Sequence, residues 1–363
     1  MAVGARHYHT PELADAGRVQ VYLFDAVSNA WIPHGQALLG RNSQDWFGFS
    51  VALSQNGRRL AVSEPGLDGA AGDRAGNVRM FQWVDNLAVW SPLGQELPGE
   101  ELAGLSGISV VFSGDGRRLA VGSPYFDGED LNLSGRVRVY QYNANTLSWD
   151  TVGGPLDGDQ TLDWFGWDVD LSSDGNRICS GAPRNTEYGG FVRCHDFNGT
   201  EWNQVGNDIV NDFGDVLLDD RFGLSVSLDG DRVAVGCPAK DAGDRNTGLV
   251  AVYVLRDNAW VLMGEPLLGQ SFNQQMGFSV QLEGEFLTVG SPGSSSSTGE
   301  LTFHRWTGSS WDTASTSLKG IQSRDEFGYA IASSKDASIV AAAAPATTSR
   351  APDATGRVVV YQR

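Results

Sequence analysis

One phrase recurs seven times along the chain, and that repetition limits the fold more than any single motif. It reads Ala2-Val3-Gly4-Ala5, then Leu60-Ala61-Val62-Ser63-Glu64-Pro65 and Leu119-Ala120-Val121-Gly122-Ser123-Pro124. It returns as Ile178-Cys179-Ser180-Gly181-Ala182-Pro183, Val233-Ala234-Val235-Gly236-Cys237-Pro238, Leu287-Thr288-Val289-Gly290-Ser291-Pro292 and Val340-Ala341-Ala342-Ala343-Ala344-Pro345. A second phrase, Phe47-Gly48-Phe49-Ser50-Val51, recurs with its glycine at 107, 166, 223, 277 and 328, at intervals of 59, 59, 57, 54 and 51 residues. A chain of 363 residues would ordinarily suggest two domains, but repeat folds run this long as one. The reading is therefore a single domain over 1–363, with repeats starting near 1, 47, 106, 165, 222, 276 and 327.

Four segments follow one another in fixed order. Segment a is the Phe-Gly phrase and segment b the Ala-Val-Gly-Ser-Pro phrase. Segment c is Gly76-Asn77-Val78-Arg79-Met80-Phe81, Gly135-Arg136-Val137-Arg138-Val139-Tyr140 or Gly356-Arg357-Val358-Val359-Val360-Tyr361. Segment d is a tryptophan, a turn and a leucine, marked by Trp31, Trp90, Trp149, Trp202, Trp260 and Trp311. Segment c alternates apolar and polar residues, the period of a half-buried strand, and no stretch shows helical periodicity. Asn56-Gly57, Asp115-Gly116 and Asp174-Gly175 between a and b are hairpin-turn chemistry. Four short antiparallel strands repeated about seven times describe an all-β chain, a seven-bladed β-propeller of four-stranded blades. The chain starts at b and stops after c, so the first blade lacks a and the last lacks d: either the ring closes with two three-stranded blades, or the chain is cut from a longer array. Those missing strands leave unpaired edges, which invite association.

Phe-Gly opening a, Gly-Ser-Pro or Gly-Ala-Pro closing b, and Gly-x-Val-x-Val-Tyr in c resemble the FG-GAP repeats of integrin α-subunit propellers. Kelch repeats are the runner-up resemblance, since Gly, Tyr and Trp recur there in the same order. Both imply a propeller, and the integrin likeness implies adhesion at an extracellular or cell-surface location. The resemblance fails at one point. Integrin-type repeats carry Asp-rich calcium loops between a and b, whereas the links here are two- or three-residue turns such as Ser113-Gly114-Asp115-Gly116. These supply too few oxygens for six to eight calcium ligands, so no cofactor is expected.

The formal net charge of -18 argues against a nucleic-acid partner, which requires clustered Lys and Arg. No run of apolar residues is long enough for membrane insertion. The chain as given carries no secretory signal, which a mature or cloned fragment would also lack. Cys179 lies four residues before Pro183 and Cys194 four after Gly190. If these segments are antiparallel neighbours, the thiols sit opposite and a disulfide is open to them, as is a pair of small buried thiols.

Alternating strand direction places the d–a and b–c links on one face, and that face has the longer, more variable loops. Binding on a rigid β scaffold usually resides in such loops. Trp46, Trp164 and Arg221, just before Phe-Gly, with Tyr8 and Tyr125 in b–c loops, are the candidate ligand-binding residues; packing between blades is the alternative. Asp45, Asp163, Asp220 and Asp325 in Asp-x-Phe-Gly corners read as turn caps. Asp127, Glu129 and Asp130 are weak metal candidates in an acidic loop that otherwise reads as a solvated rim. His7 and His9 share one side of an extended segment, a weak metal signal.

These features point to a non-enzymatic recognition module for a protein or carbohydrate ligand. A structural spacer within a larger extracellular protein is the second reading. A propeller glycoside hydrolase or lyase is the third, using paired carboxylates among Asp45, Asp163, Asp220 and Glu326.

Overall fold

A computed structural model describes residues 1–217, 219–345 and 356–363. Seven antiparallel sheets follow one another along the chain, and the fold is an all-β, seven-bladed propeller. The third blade is representative: a is Ser109–Phe112, b Arg118–Ser123, c Arg136–Asn143 and d Ser148–Thr151. Among the described residues, the first sheet begins with b, Ala2–Ala5, and the last ends with c, Arg357–Gln362.

Five blades hold five strands rather than four. The segment after each tryptophan splits in two: a strand pairs with the far end of c, and a dipeptide such as Leu156–Asp157 pairs with its beginning. A turn between them lets one leucine reach the core beside Val137. Among the described residues the single helical element is Ser294–Ser297, one turn wound left-handed at Ser295 and Ser296.

The chain packs as two compact units, Met1–Arg177 with Phe197–Asn203, and Ile178–Asp196 with Gln204–Arg363. In each unit the core lies between successive blades. In the first unit, Ala61, Val78, Met80 and Leu97 of blade two pack against Val110, Phe112, Leu119 and Val121 of blade three. In the second, Ala234, Val250 and Val252 of blade five meet Val280, Leu282, Leu287 and Val289 of blade six. Burying one such Val, Leu or Phe stabilises by roughly 1.5–3 kcal/mol, so each blade depends on its neighbour.

Tryptophan repeats the link in polar form. Trp90 Nε1 donates to the His34 carbonyl at 3.0 Å, Trp149 to Leu93 at 2.9 Å and Trp202 to Val152 at 2.8 Å. Trp260 donates to Val205 at 3.0 Å and Trp311 to Met263 at 2.9 Å in the second unit. Each acceptor lies three residues beyond the tryptophan of the preceding blade. The backbones also approach closely: a Cβ on Gly122 would lie 2.1 Å from the Gly166 carbonyl oxygen. That is why the glycine of Gly-Ser-Pro and the glycine of Phe-Gly recur together.

Candidate functional site

The d–a corner is built by one unusual conformation. The residue before Phe-Gly has positive φ at every copy: Trp46 57°, Leu105 48°, Trp164 56°, Arg221 62°, Gln275 57° and Glu326 51°. A non-glycine residue there costs about 1–2 kcal/mol, and the cost is offset locally. Trp46 N donates to Asp15 O at 3.2 Å and Phe47 N to Ala16 O at 3.1 Å, tying the corner to a b–c loop. Trp164 and Phe165 make the same bonds to Leu133 and Ser134, at 3.2 and 3.0 Å. Because the backbone repeats while the side chain varies from Trp to Arg to Glu, this position displays a changeable group on a fixed support.

Corner aspartates hold the turn that precedes it. Asp45 Oδ2 accepts from the amides of Arg41 and Asn42, at 3.3 and 2.9 Å, and Asp163 Oδ2 from Asp159 and Gln160, at 3.2 and 3.0 Å. Asp325 does the same with Ile321 and Gln322 and also binds Arg357. Burial raises the Asp325 carboxyl, but those amides and the guanidinium outweigh it, so its pKa falls below the ordinary value. Asp220 instead receives Asn211, Leu217 and the buried Lys240 ammonium at 2.9 Å.

The four candidate rings differ in what surrounds them. Tyr125 lies 5.0 Å from Trp164, and Trp164 stacks on Trp167 with centroids 5.3 Å apart and planes 15° apart. Tyr125 also meets Trp167 edge-on at 6.3 Å. All three are half-buried, so their ring contacts leave surface for solvent. Trp46 stands apart from this group, with the Arg74 guanidinium 5.7 Å over its ring, and Tyr8 is capped by Arg18 at 5.4 Å. Arg221 is exposed on its own corner in the second unit. Trp167 is the member that sequence reasoning missed. Its signal was the residue after Phe-Gly, which is Phe49, Ile108, Trp167, Leu224, Phe278 or Tyr329 in successive blades, always large and apolar.

The acidic candidates do not converge. Asp127 Oδ1 accepts from Leu133 N at 2.6 Å, capping its own loop, while Glu129 and Asp130 point to solvent. His7 and His9 both serve Asp15, through its carboxylate at 3.1 Å and its amide at 2.9 Å. Among the described residues no group of three or more His, Cys, Asp or Glu is arranged to hold a metal ion.

Residues 214–255 match the FG-GAP repeat family. The chain is an FG-GAP-like β-propeller. The match falls on blade five of this FG-GAP-like propeller, from the corner before Phe222-Gly223 through strand Leu249–Arg256, with Gly236-Cys237-Pro238 in the Gly-Ala-Pro slot. No curated protein matches the chain.

Two further features of this FG-GAP-like chain bear on chemistry. Cys179 and Cys194 form a disulfide across neighbouring strands b and c of blade four, as their antiparallel spacing allowed. Cys237 is buried, its thiol donating to Asp220 O at 3.2 Å, and burial holds its pKa well above the ordinary value. Glu64, where other blades place Ser, Ala or Cys, is 1% exposed. It accepts from Asn77 Nδ2 at 2.7 Å and lies 3.7 Å from Arg79, yet burial pushes its pKa up to about 7.

Proposed function

We propose that this FG-GAP-like propeller is a non-enzymatic recognition module, binding a protein or glycan on the face formed by its d–a corners and b–c loops. The observation that carries the reading is the Tyr125–Trp164–Trp167 group, three rings fixed by mutual contact on half-exposed positions. Aromatic pairs contribute about 0.5–1.5 kcal/mol beyond burial, so the rings are ordered before a ligand arrives. Preorganisation of this kind reduces the entropy cost of binding, and buried Trp and Tyr dominate interface energetics. Stacking on a sugar or anchoring a peptide both use such a surface.

Binding rather than catalysis is favoured because the corner carboxylates are already committed to their own turns, as at Asp45 and Asp163. A general acid and base pair needs carboxyls available to a substrate. An extracellular or cell-surface setting is supported by the family likeness and by the Cys179–Cys194 disulfide, since disulfides persist in oxidising compartments. A glycan array and a pull-down with the full chain test the proposal. Ligands lost on Trp164→Ala support it; two blank screens sink it. Turnover of a glycoside that disappears in Asp163→Asn restores the enzymatic reading.

A further inference from the structure

The repeat is broken at two positions that meet around Asp220. The dipeptide closing a blade is followed by glycine at Gly40, Gly99, Gly158, Gly269 and Gly320, but by Asn211 after blade four. Two positions beyond the proline that closes segment b stand Leu67, Phe126, Asn185 and Ser294 in blades two, three, four and six, but Lys240 in blade five. The chain has three lysines. The Lys240 side chain is 5% exposed, against 59% for Lys319 and 50% for Lys335. Asn211 and Asp220 are buried with it. Each of the three lies two or three residues from a member of one buried apolar cluster, namely Ile209, Phe222 and Cys237.

Asp220 Oδ2 accepts from Lys240 Nζ at 2.9 Å and from Asn211 Nδ2 at 2.8 Å, so the amine and the amide rest on one oxygen. Leu217 N donates to that oxygen at 3.1 Å, and Nζ donates also to the Asp215 carbonyl. Two buried oxygens are left over: Asp220 Oδ1 and Asn211 Oδ1 have no partner among the described residues. A carboxylic acid and a primary amide pair through two parallel bonds, N–H to one acid oxygen and O–H from the other to the amide oxygen. The first bond is present. The two orphaned oxygens are the pair that a proton on Asp220 would join.

We propose that Lys240 and Asn211 join through an isopeptide bond, with Asp220 as the acid and base of a reaction that occurs once within the chain. Nζ passes a proton to Asp220, which leaves the neutral amine, the nucleophilic form of lysine. The same transfer removes two charges from a site sealed from water. Nζ then attacks Cγ of Asn211 while the Asp220 acid holds the amide oxygen. The Nζ–Cγ bond forms and the Cγ–Nδ2 bond breaks. Asp220 delivers one Nζ proton to Nδ2 and the other leaves with it, so the nitrogen departs as ammonium and Asp220 ends as it began. No oxidant or further reactant is needed. The product ties the end of blade four to the b–c loop of blade five, both within the second unit. This site is independent of the aromatic group on the d–a corners.

The intact mass of the full chain, measured denatured with its disulfide reduced, is the test. Expected is the mass of the sequence less one ammonia, with a branched tryptic peptide joining Lys240 to Asn211 and no cleavage after Lys240. Lys240→Arg keeps the positive charge but has no nucleophilic amine, so it should restore the full mass, as should Asp220→Ala. Asn211→Asp should lose water in place of ammonia, which an ion pair of purely structural role does not do. Should Asp220→Ala fail to fold, the other two variants still decide. An unmodified mass after prolonged incubation of the folded chain, with trypsin cutting after Lys240, overturns the proposal. Loss of ammonia that persists in Lys240→Arg also overturns it, since the loss then arises elsewhere in the chain.

Discussion

Trp164 and Trp167 stack nearly parallel across one left-handed corner, with 5.3 Å between ring centroids. The contact exists because Trp164 takes φ 56° and its carbonyl accepts from Trp167 N at 3.1 Å, folding the two indoles onto the same side. Two coupled indoles give a characteristic couplet in the far-ultraviolet circular dichroism. Trp167→Phe should remove that couplet while leaving the melting temperature within a few degrees. A spectrum unchanged by the substitution would mean the rings do not stack in solution. For any ligand captured on this face, Trp164→Ala should weaken binding about tenfold or more, near 1.4 kcal/mol. Trp46→Ala, outside the group, should have a smaller effect.

Stability should fall as pH rises from 5 to 8. Glu64 has its folded pKa raised to about 7 from 4.5, because burial outweighs Arg79 and Asn77. The folded state therefore holds the proton more tightly than the unfolded chain. The stabilisation is complete below pH 4.5 and is lost as pH climbs through 7, amounting to about 3 kcal/mol at 1.36 kcal/mol per unit. Glu283, raised to about 7 by burial, with Lys335 opposing the rise and Asp229 adding to it, acts in the same direction. Glu64→Gln should raise stability at pH 8 by about 2–3 kcal/mol and change little at pH 5. Urea titrations at the two pH values decide it; an equal effect at both would show that Glu64 does not titrate in this range.

Reduction should destabilise the protein without exposing a reactive thiol in its native state. The Cys179–Cys194 bridge closes a separation of 15 residues, and loops of that length contribute about 3 kcal/mol through the unfolded chain. Thermal melts with and without a reductant should differ accordingly. A thiol reagent should find no group in the native oxidised protein, since Cys237 is buried and protonated. Native labelling with one equivalent would contradict that placement.

Gly94→Ala should cost about 2–3 kcal/mol. Its φ is 76°, and an added Cβ would lie 2.8 Å from Cδ1 of Trp149 in the next blade. Gly230→Ala, also at positive φ but with open space around it, should cost about 1 kcal/mol. If denaturant midpoints show the two variants alike, the close approach between blades is not a stabilising constraint.

Much of this was legible in the sequence because the repeat is made of local signals. Asn56-Gly57 and Asp115-Gly116 turn the chain wherever they stand, and alternation in Arg136–Tyr140 marks a strand with one buried face. The position of Tyr125 and Trp164 in variable loops was visible for the same reason. Their contact was not, since it joins a b–c loop to a corner 39 residues on (164 minus 125). Trp167 escaped notice because a large residue after Phe-Gly reads equally as core.

The sequence by itself determined the strand order and the count of seven blades, both properties of spacing and short-range backbone preference. Only the tertiary structure decided which rings meet, that Cys179 and Cys194 are joined, and that Glu64 is sealed from water beside Arg79. Those outcomes depend on distances between residues far apart in the chain, which packing fixes and local composition does not.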